Sequence, residues 1–474
     1  MKHAIIILAH KDFSHLYHLV EYFHHDCYVF IHIDKRVKVT PDIIQQLERL
    51  PQVVKVYRKF RVHWGGFSIL KSEIYLMRQV LKLSDAQFVH ILSGQDYPIV
   101  PLSRFLSFFQ QNPHTNFIQY VHLPNPKWER YTLSRFQYYY PHDWLKDGKK
   151  SRLWIKKFVD FQRRHSIKRR IPDAFDRLYG NSQWFSITRS ATEALVNYTS
   201  KHPAHYRRLR MTFAPEESYI GTVLLNIHTQ EPISRWNHRF IRWKKENGNN
   251  PANLDASHFP LLLERFHLIA RKFEQPYCNK LLSLIDKYLI NEESQIHCSS
   301  TGAWVYDGVQ QYKYHEPFAR IVYDLCQTLS VTSVLDMGCG CGLYVAKWRN
   351  LGLDVAGYDG NPYTPHLSIL LLPEGDEPCH TADLTEDLEV DEPFDFVVCK
   401  DVLPYIPLSL QSKALQNLAL LTAQYLLIWN DNSNFDMENV ITQLYGFGLS
   451  PHPFANILLK GNQSCGFLLT KCKD

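Results

Sequence analysis

What this chain of 474 residues lacks narrows its chemistry before any motif is considered. Its ten cysteines include no Cys-x-x-Cys pair, so the ligand spacing of a structural zinc site is missing. Free thiols of a reducing compartment account for them, and Cys339 and Cys341, set among glycines, serve there as small residues. A long apolar run is missing from the start: Met1 to His10 is too short in its apolar part for a signal peptide or a membrane span. It reads as a first buried strand, which predicts a cytoplasmic protein. Excess charge is also scarce, since 53 Lys and Arg against 47 Asp and Glu leave only +6 at pH 7. The excess is concentrated in Lys146 to Arg170, with eleven Lys or Arg against two Asp. No nucleic-acid recognition motif accompanies that run, so nucleic acid is not an expected partner. Two readings stay open for it: a solvated helix face, or a peripheral contact with an anionic membrane or an acidic glycan.

The length predicts two or three domains at roughly 100 to 250 residues each. Ala4 to Ala9 and Tyr28 to Ile33 are apolar, β-branched runs separated by the helical pattern of Leu16, Leu19, Val20 and Phe23, which makes a βαβ unit of a parallel sheet. Asp34 ends the second run, where open α/β sheets bind ligands, and is either a nucleotide contact or a turn former. Val53 to Tyr57 and Phe88 to Leu92 read as further strands, with a helix from about Ile69 to Leu81 between them. Trp64-Gly65-Gly66 suggests a tight loop with an aromatic wall, and Ser93 to Pro98 a polar loop at a strand end. Gly180 to Ile187 reads as a loop and strand, and Ser234 to Trp243 as a strand. Pro215 opens a helix with Glu216 and Glu217 in its first turn. Those acids either offset the helix dipole or supply a general base that takes a proton from a sugar hydroxyl.

His32 to Arg36, Trp64 to Gly66, Leu92 to Pro98, Ser182 to Phe185, Pro215 to Ser218 and Ala270 to Phe273 occur in an order that resembles the core-2/I-branching N-acetylglucosaminyltransferase and protein xylosyltransferase family over residues 1 to about 280. The resemblance implies a GT-A type α/β fold and an inverting, metal-independent transfer from a UDP-sugar. It places Glu217 on the catalytic base, Arg271 and Lys272 on the basic tail that holds the diphosphate, and Asp34, Trp64, Gln183 and Trp184 in the donor site. Residues 1 to 275 contain no Asp-x-Asp, so a departing UDP must be neutralised by side chains, as an arginine fork and a lysine can do. Because Met1 to His10 reads as a first strand, the chain is expected to depart from the family in having no N-terminal anchor and stem of the animal kind. Gln183 stands where a xylosyltransferase has Asp and the branching enzyme a small residue, so N-acetylglucosamine and xylose both remain as donor sugars.

A polar lapse at 291–300 predicts a linker between a domain of residues 1–290 and one of 301–474. The second opens on Ser333 to Gly342, followed by a helix and then by Leu353 to Asp359. Glycines at a strand-to-helix turn let backbone approach a cofactor, and an acid ending the next strand can hold two ribose hydroxyls. With Asp336 leading Gly338, Gly340 and Gly342, the loop resembles the signature of S-adenosylmethionine-dependent methyltransferases with a Rossmann-like fold. That implies S-adenosylmethionine as cofactor, with Asp336 at its methionine end, Asp359 at the ribose, Asp383 near the adenine and Asp401 at the end of the strand that begins at Phe394. Many relatives continue with Glu-His, where this chain has Pro404-Tyr405.

The expected protein is an enzyme of two α/β domains: a UDP-sugar glycosyltransferase acting on a glycan or glycolipid, and a methyltransferase domain that methylates the glycan. Two alternatives are a glycosyltransferase with a non-catalytic cofactor- or partner-binding module and a purely glycan-binding protein.

Overall fold

A computed structural model describes the chain except residues 25, 126–132, 147, 170–176, 228–230, 264–266, 292–295, 299–304, 308–313, 362–377, 389–391, 432–435, 454–464 and 473–474. It divides into two compact units, Met1–Leu254 with His267–Cys278, and Asp255–Phe266 with Asn279–Asp474.

The strands of the first unit are β1 (His3–Ala9), β2 (Cys27–Ile33), β3 (Val53–Tyr57), β4 (Phe88–Ser93), β5 (Asp96–Pro98), β6 (Asn116–His122), β7 (Tyr179–Thr188), β8 (Ile233–Ser234), β9 (Arg239–Ile241) and β10 (Ile269–Arg271). Seven of them form one sheet in the order β3-β2-β1-β4-β7-β6-β8, and β5, β10 and β9 form a smaller one. From β3 to β4 the large sheet is parallel, and β7 turns antiparallel. Ala4, Ile5, Ile6 and Ile7 are wholly buried, as a central parallel strand with both faces covered requires. One covering helix is Phe67–Leu83, whose Leu70, Ile74, Met77 and Val80 recur at helical spacing and pack with Leu195, Ile220 and Val223. Strand order reverses between β1 and β4, so a ligand crevice belongs at their carboxyl ends, beside His10-Lys11 and Ser93-Gly94.

Two expected elements differ. Gly180 and Asn181 already belong to β7, paired with β6, rather than to a loop. Ser234 to Trp243 is divided between the two sheets, because His238 takes a left-handed backbone that cannot continue a strand.

The second unit carries β11 (Ile296–Cys298), β12 (Val305–Asp307), β13 (Ser333–Met337), β14 (Asp354–Asp359), β15 (Cys379–Thr381), β16 (Phe394–Lys400), β17 (Thr422–Asn430), β18 (Leu449–Pro451) and β19 (Cys465–Lys471). Of the linker expected at 291–300, residues 292–295 and 299–300 lie outside the described residues, and β11 pairs with β12 as a hairpin. The helix Asn279–Tyr288, placed by composition in the first domain, groups with the second unit and buries Leu281 and Ile285. A seven-stranded sheet runs β15-β14-β13-β16-β17-β19-β18, parallel through β17 and antiparallel at β19 and β18. Read in chain order its parallel part is 3-2-1-4-5, the doubly wound arrangement, with the switch between β13 and β16. No helix among the described residues is long and apolar enough to cross a membrane.

Candidate functional site

Three carboxylates approach one another where the helix Glu216–Asn226 packs on β7. Pro215 precedes the helix, and Ala214 before it takes a left-handed backbone whose N–H donates to the Gly65 carbonyl at 2.8 Å. This ties the Trp64-Gly65-Gly66 loop to the start of the helix. Gly65 itself has φ of 70° and would set a Cβ 2.6 Å from the Phe213 ring, so only glycine fits.

The acids then differ in surroundings. Glu216 is 3% exposed and its Oε2 has no partner, and burial together with the neighbouring Glu217 and Glu73 pushes its carboxyl well above the usual range. Glu73 is wholly buried, accepts a hydrogen bond from Gln183 Nε2 at 2.9 Å, and is pushed up to about 8, chiefly by burial. Glu217 keeps a quarter of its side chain exposed and lies 3.4 Å from Arg135 Nη2. Arg135, 2% exposed, also donates to the Ala214 carbonyl at 3.2 Å and lies over the Phe213 ring. Of the three, Glu217 alone combines a partly exposed side chain with an arginine partner, the surroundings that suit a general base.

Phe213, which lies under Arg135, also lines a cleft of 280 Å³ whose aromatic residues include Trp64, Tyr140 and His142 and whose lining also includes Arg152, Lys156 and Arg163. Trp64 is 55% exposed, its ring 5.6 Å from Phe213 and beneath the Arg152 guanidinium.

A second group collects at the carboxyl ends of β4 and β10. Arg271 Nη1 donates to Asp96 Oδ1 at 2.5 Å and to Ser93 Oγ at 2.6 Å, and its guanidinium stacks 3.9 Å from the centre of the Trp184 ring. Lys272 and Lys11 both reach Glu274, at 3.5 and 2.5 Å, and burial holds the Lys272 ammonium below its usual value against the pull of Glu274. Gln183 and Trp184 connect this group to the carboxylates, because successive residues of a strand face opposite ways: one meets Glu73, the other Arg271.

Asp34 joins neither group through its own oxygens. It accepts from the backbone N–H groups of Arg36 and Val62 at 2.9 and 3.1 Å and pairs with Arg36 Nη2 at 2.8 Å. Burial opposes its ionisation, and these donors outweigh that and hold its carboxyl below the usual range. Among the described residues no group of three or more His, Cys, Asp and Glu is placed to hold a metal ion. Arg135, Glu73 and Lys11 were not anticipated. Lys11 could have been, since it directly follows the central strand at its ligand-binding end; Arg135 lies 82 residues from Glu217, beyond any local pattern.

In the second unit Asp336 is the last residue but one of β13, with Gly338 and Gly340 turning the chain at φ of 86° and 55° and Gly342 opening the helix Leu343–Asn350. A Cβ on Gly338 would lie 2.1 Å from Val402. Asp359 accepts from the N–H groups of Gly340 and Asn361, both at 2.8 Å, clasping the loop. Asp336 is 2% exposed, its Oδ2 has no partner, and burial with Asp359 nearby pushes its carboxyl up to about 7 despite Lys400. An orphaned acid beside a cradle open only to glycine fits a small cofactor carrying a cationic group. Asp401 accepts from the Asp431 N–H at 2.7 Å and pairs with Lys400, while Asp383 closes a turn onto Thr385 at 2.8 Å. Tyr405 is 62% exposed.

Fold and sites thus define a two-unit α/β protein with a switch of strand order in each large sheet. Residues 4–260 match the model of the Core-2/I-Branching enzyme family, and residues 335–423 that of a methyltransferase domain. The first match spans more than half of the chain, which therefore belongs to the Core-2/I-Branching enzyme family. Similar proteins include xylosyltransferase 1 of Rattus norvegicus, 25% identical over 56% of this chain and 32% of that protein, and xylosyltransferase oxt of Drosophila pseudoobscura pseudoobscura, 24% identical over 63% and 34%. The chain spans about a third of the length of these relatives. Among solved structures, magnesium protoporphyrin IX methyltransferase of Synechocystis with bound SAH is 17% identical over 33% of this chain and 83% of its own, at a TM-score of 0.29.

Proposed function

We propose that the first unit is a GT-A type, inverting, metal-independent glycosyltransferase that moves N-acetylglucosamine or xylose from a UDP-sugar to a hydroxyl of a glycan or glycolipid. The partly exposed Glu217, paired with an Arg135 that stacks on the cleft-lining Phe213, carries this reading. The acceptor rests against Trp64 and Phe213, and Glu217 takes the proton of its attacking hydroxyl. That oxygen bonds to the anomeric carbon from the face opposite UDP while the bond from that carbon to the β-phosphate oxygen breaks. Arg271, Lys272 and Lys11 balance the charge left on UDP, with Asp96 and Trp184 keeping the Arg271 fork in place.

The methyltransferase domain acts on the same glycan in this reading. S-adenosylmethionine supplies an activated methyl group when bound. The chain's part would be to hold it: Asp336 could pair with the methionine ammonium and Asp359 accept from the ribose hydroxyls, the turn at Gly338 and Gly340 would admit it, and Asp383 and Asp401 would contribute to its binding.

The test is Glu217→Gln in the full chain with radiolabelled donors. Transfer is expected to fall by roughly 100-fold or more, the usual share of a general base, with UDP binding retained. Wild-type transfer is expected to survive excess chelator. Turnover retained in the variant would reduce Glu217 to a helix-start acid, and activity restored only by Mn²⁺ would remove the metal-independent step.

A further inference from the structure

The helix Lys149–Arg164 has three faces with different contents. Ile155, Val159 and Gln162 are buried against the body, and Arg152, Lys156 and Arg163 line the cleft. At 100° per residue the remaining arc collects Lys150, Leu153, Trp154, Lys157, Phe158, Phe161 and Arg164. Leu153, Trp154 and Phe161 are each half exposed, and the Trp154 and Phe158 rings stack at 5.2 Å. Exposed Trp144 precedes the helix and exposed Ile167 follows it.

Large apolar side chains so close together on one outward face mark a contact surface, and their interleaving with cations selects the partner. A second copy of this face would bring like charges together, eleven Lys or Arg against two Asp over Lys146 to Arg170. An acidic soluble protein would match the charge, but aromatic rings alternating with long cationic stems are the composition of a helix lying in a membrane interface, rings at the acyl boundary and charges at the headgroups. We propose that this face seats the protein on a bilayer surface containing anionic lipid. The helix would then lie in the plane of the interface, with its Arg152 and Lys156 still lining the acceptor cleft.

The full chain is to be sedimented with phosphatidylcholine vesicles with and without phosphatidylserine. Binding is expected only with phosphatidylserine, weakening as salt rises. Trp154→Glu with Phe161→Glu, and separately Lys150→Glu with Lys157→Glu, are each expected to weaken it by about tenfold or more. Unchanged melting temperature and UDP affinity in both variants would show that the fold persists. The proposal is overturned if wild type ignores phosphatidylserine, if the apolar pair leaves binding unchanged, or if wild type forms a dimer that the same substitutions dissolve.

Discussion

Glu73, Glu216 and Glu217 carry the same functional group, and their surroundings separate them. Glu73 and Glu216 sit where an ionised carboxylate would lack water and a full set of partners, which pushes both carboxyls up, whereas Glu217 keeps a quarter of its side chain exposed and pairs with Arg135. This has a consequence for stability. The folded state holds the Glu73 proton up to about pH 8, whereas an unfolded chain releases it near 4.5, the ordinary value of a glutamate. Because the folded pKa is raised, its stabilising effect is complete below the unfolded value and is lost as pH rises through the folded one. Melting of the first unit should therefore weaken from about pH 5 to about pH 8, by up to about 1.4 kcal/mol per pH unit for one proton. Glu73→Gln, which keeps an acceptor for Gln183, should flatten that slope in thermal scans. An unchanged slope would show that Glu73 is already ionised in the fold.

Helices and strands position the site through a few close contacts. The helix Glu216–Asn226 is pinned to β7 by Asn181, whose Oδ1 accepts from the Gly221 N–H at 2.9 Å and whose Nδ2 donates to the Glu216 carbonyl at 3.0 Å. Gly221 has no unusual backbone angle; its role is space, because a Cβ there would lie 2.9 Å from Asn181 Oδ1. Gly221→Ala should push the helix off the strand, lowering stability by about 1 to 3 kcal/mol and moving Glu217 away from Arg135. Urea unfolding and transfer assays on the same sample check both parts. A stable variant with lost transfer would still support the placement, and one unchanged in both would refute it.

At the scale of the molecule, two seven-stranded sheets with separate cores, one around Ile74 and Ile220 and the other around Leu335 and Leu415, predict two unfolding events. A ligand that binds only the folded form of one unit raises only that unit's transition. In calorimetry of the full chain, UDP should raise one and S-adenosylhomocysteine the other. A single transition shifted by both would show that the units fold as one body, and no shift with S-adenosylhomocysteine would leave the alternative of a module that binds another partner.

The family was legible without coordinates, because its motifs sit at strand ends and helix starts, where short polar stretches interrupt apolar runs. The six stretches from His32 to Phe273 lead to the family that residues 4–260 match, and the glycine loop after Asp336 leads to the methyltransferase domain matched at 335–423. Apolar runs also placed β1 to β4, and Pro215 with the two acids after it placed the helix that carries Glu217. Local pattern could not show which of two adjacent acids reaches water, since Glu216 and Glu217 differ only in how the helix turns them against β7. Nor could it pair Arg135 with Glu217 across 82 residues, or bind Arg271 to Asp96 across 175. Sequence alone specified the types of element and their order, through short-range spacing. Burial and charge pairing were decided by tertiary structure, because both depend on which distant segments exclude water from the same atom.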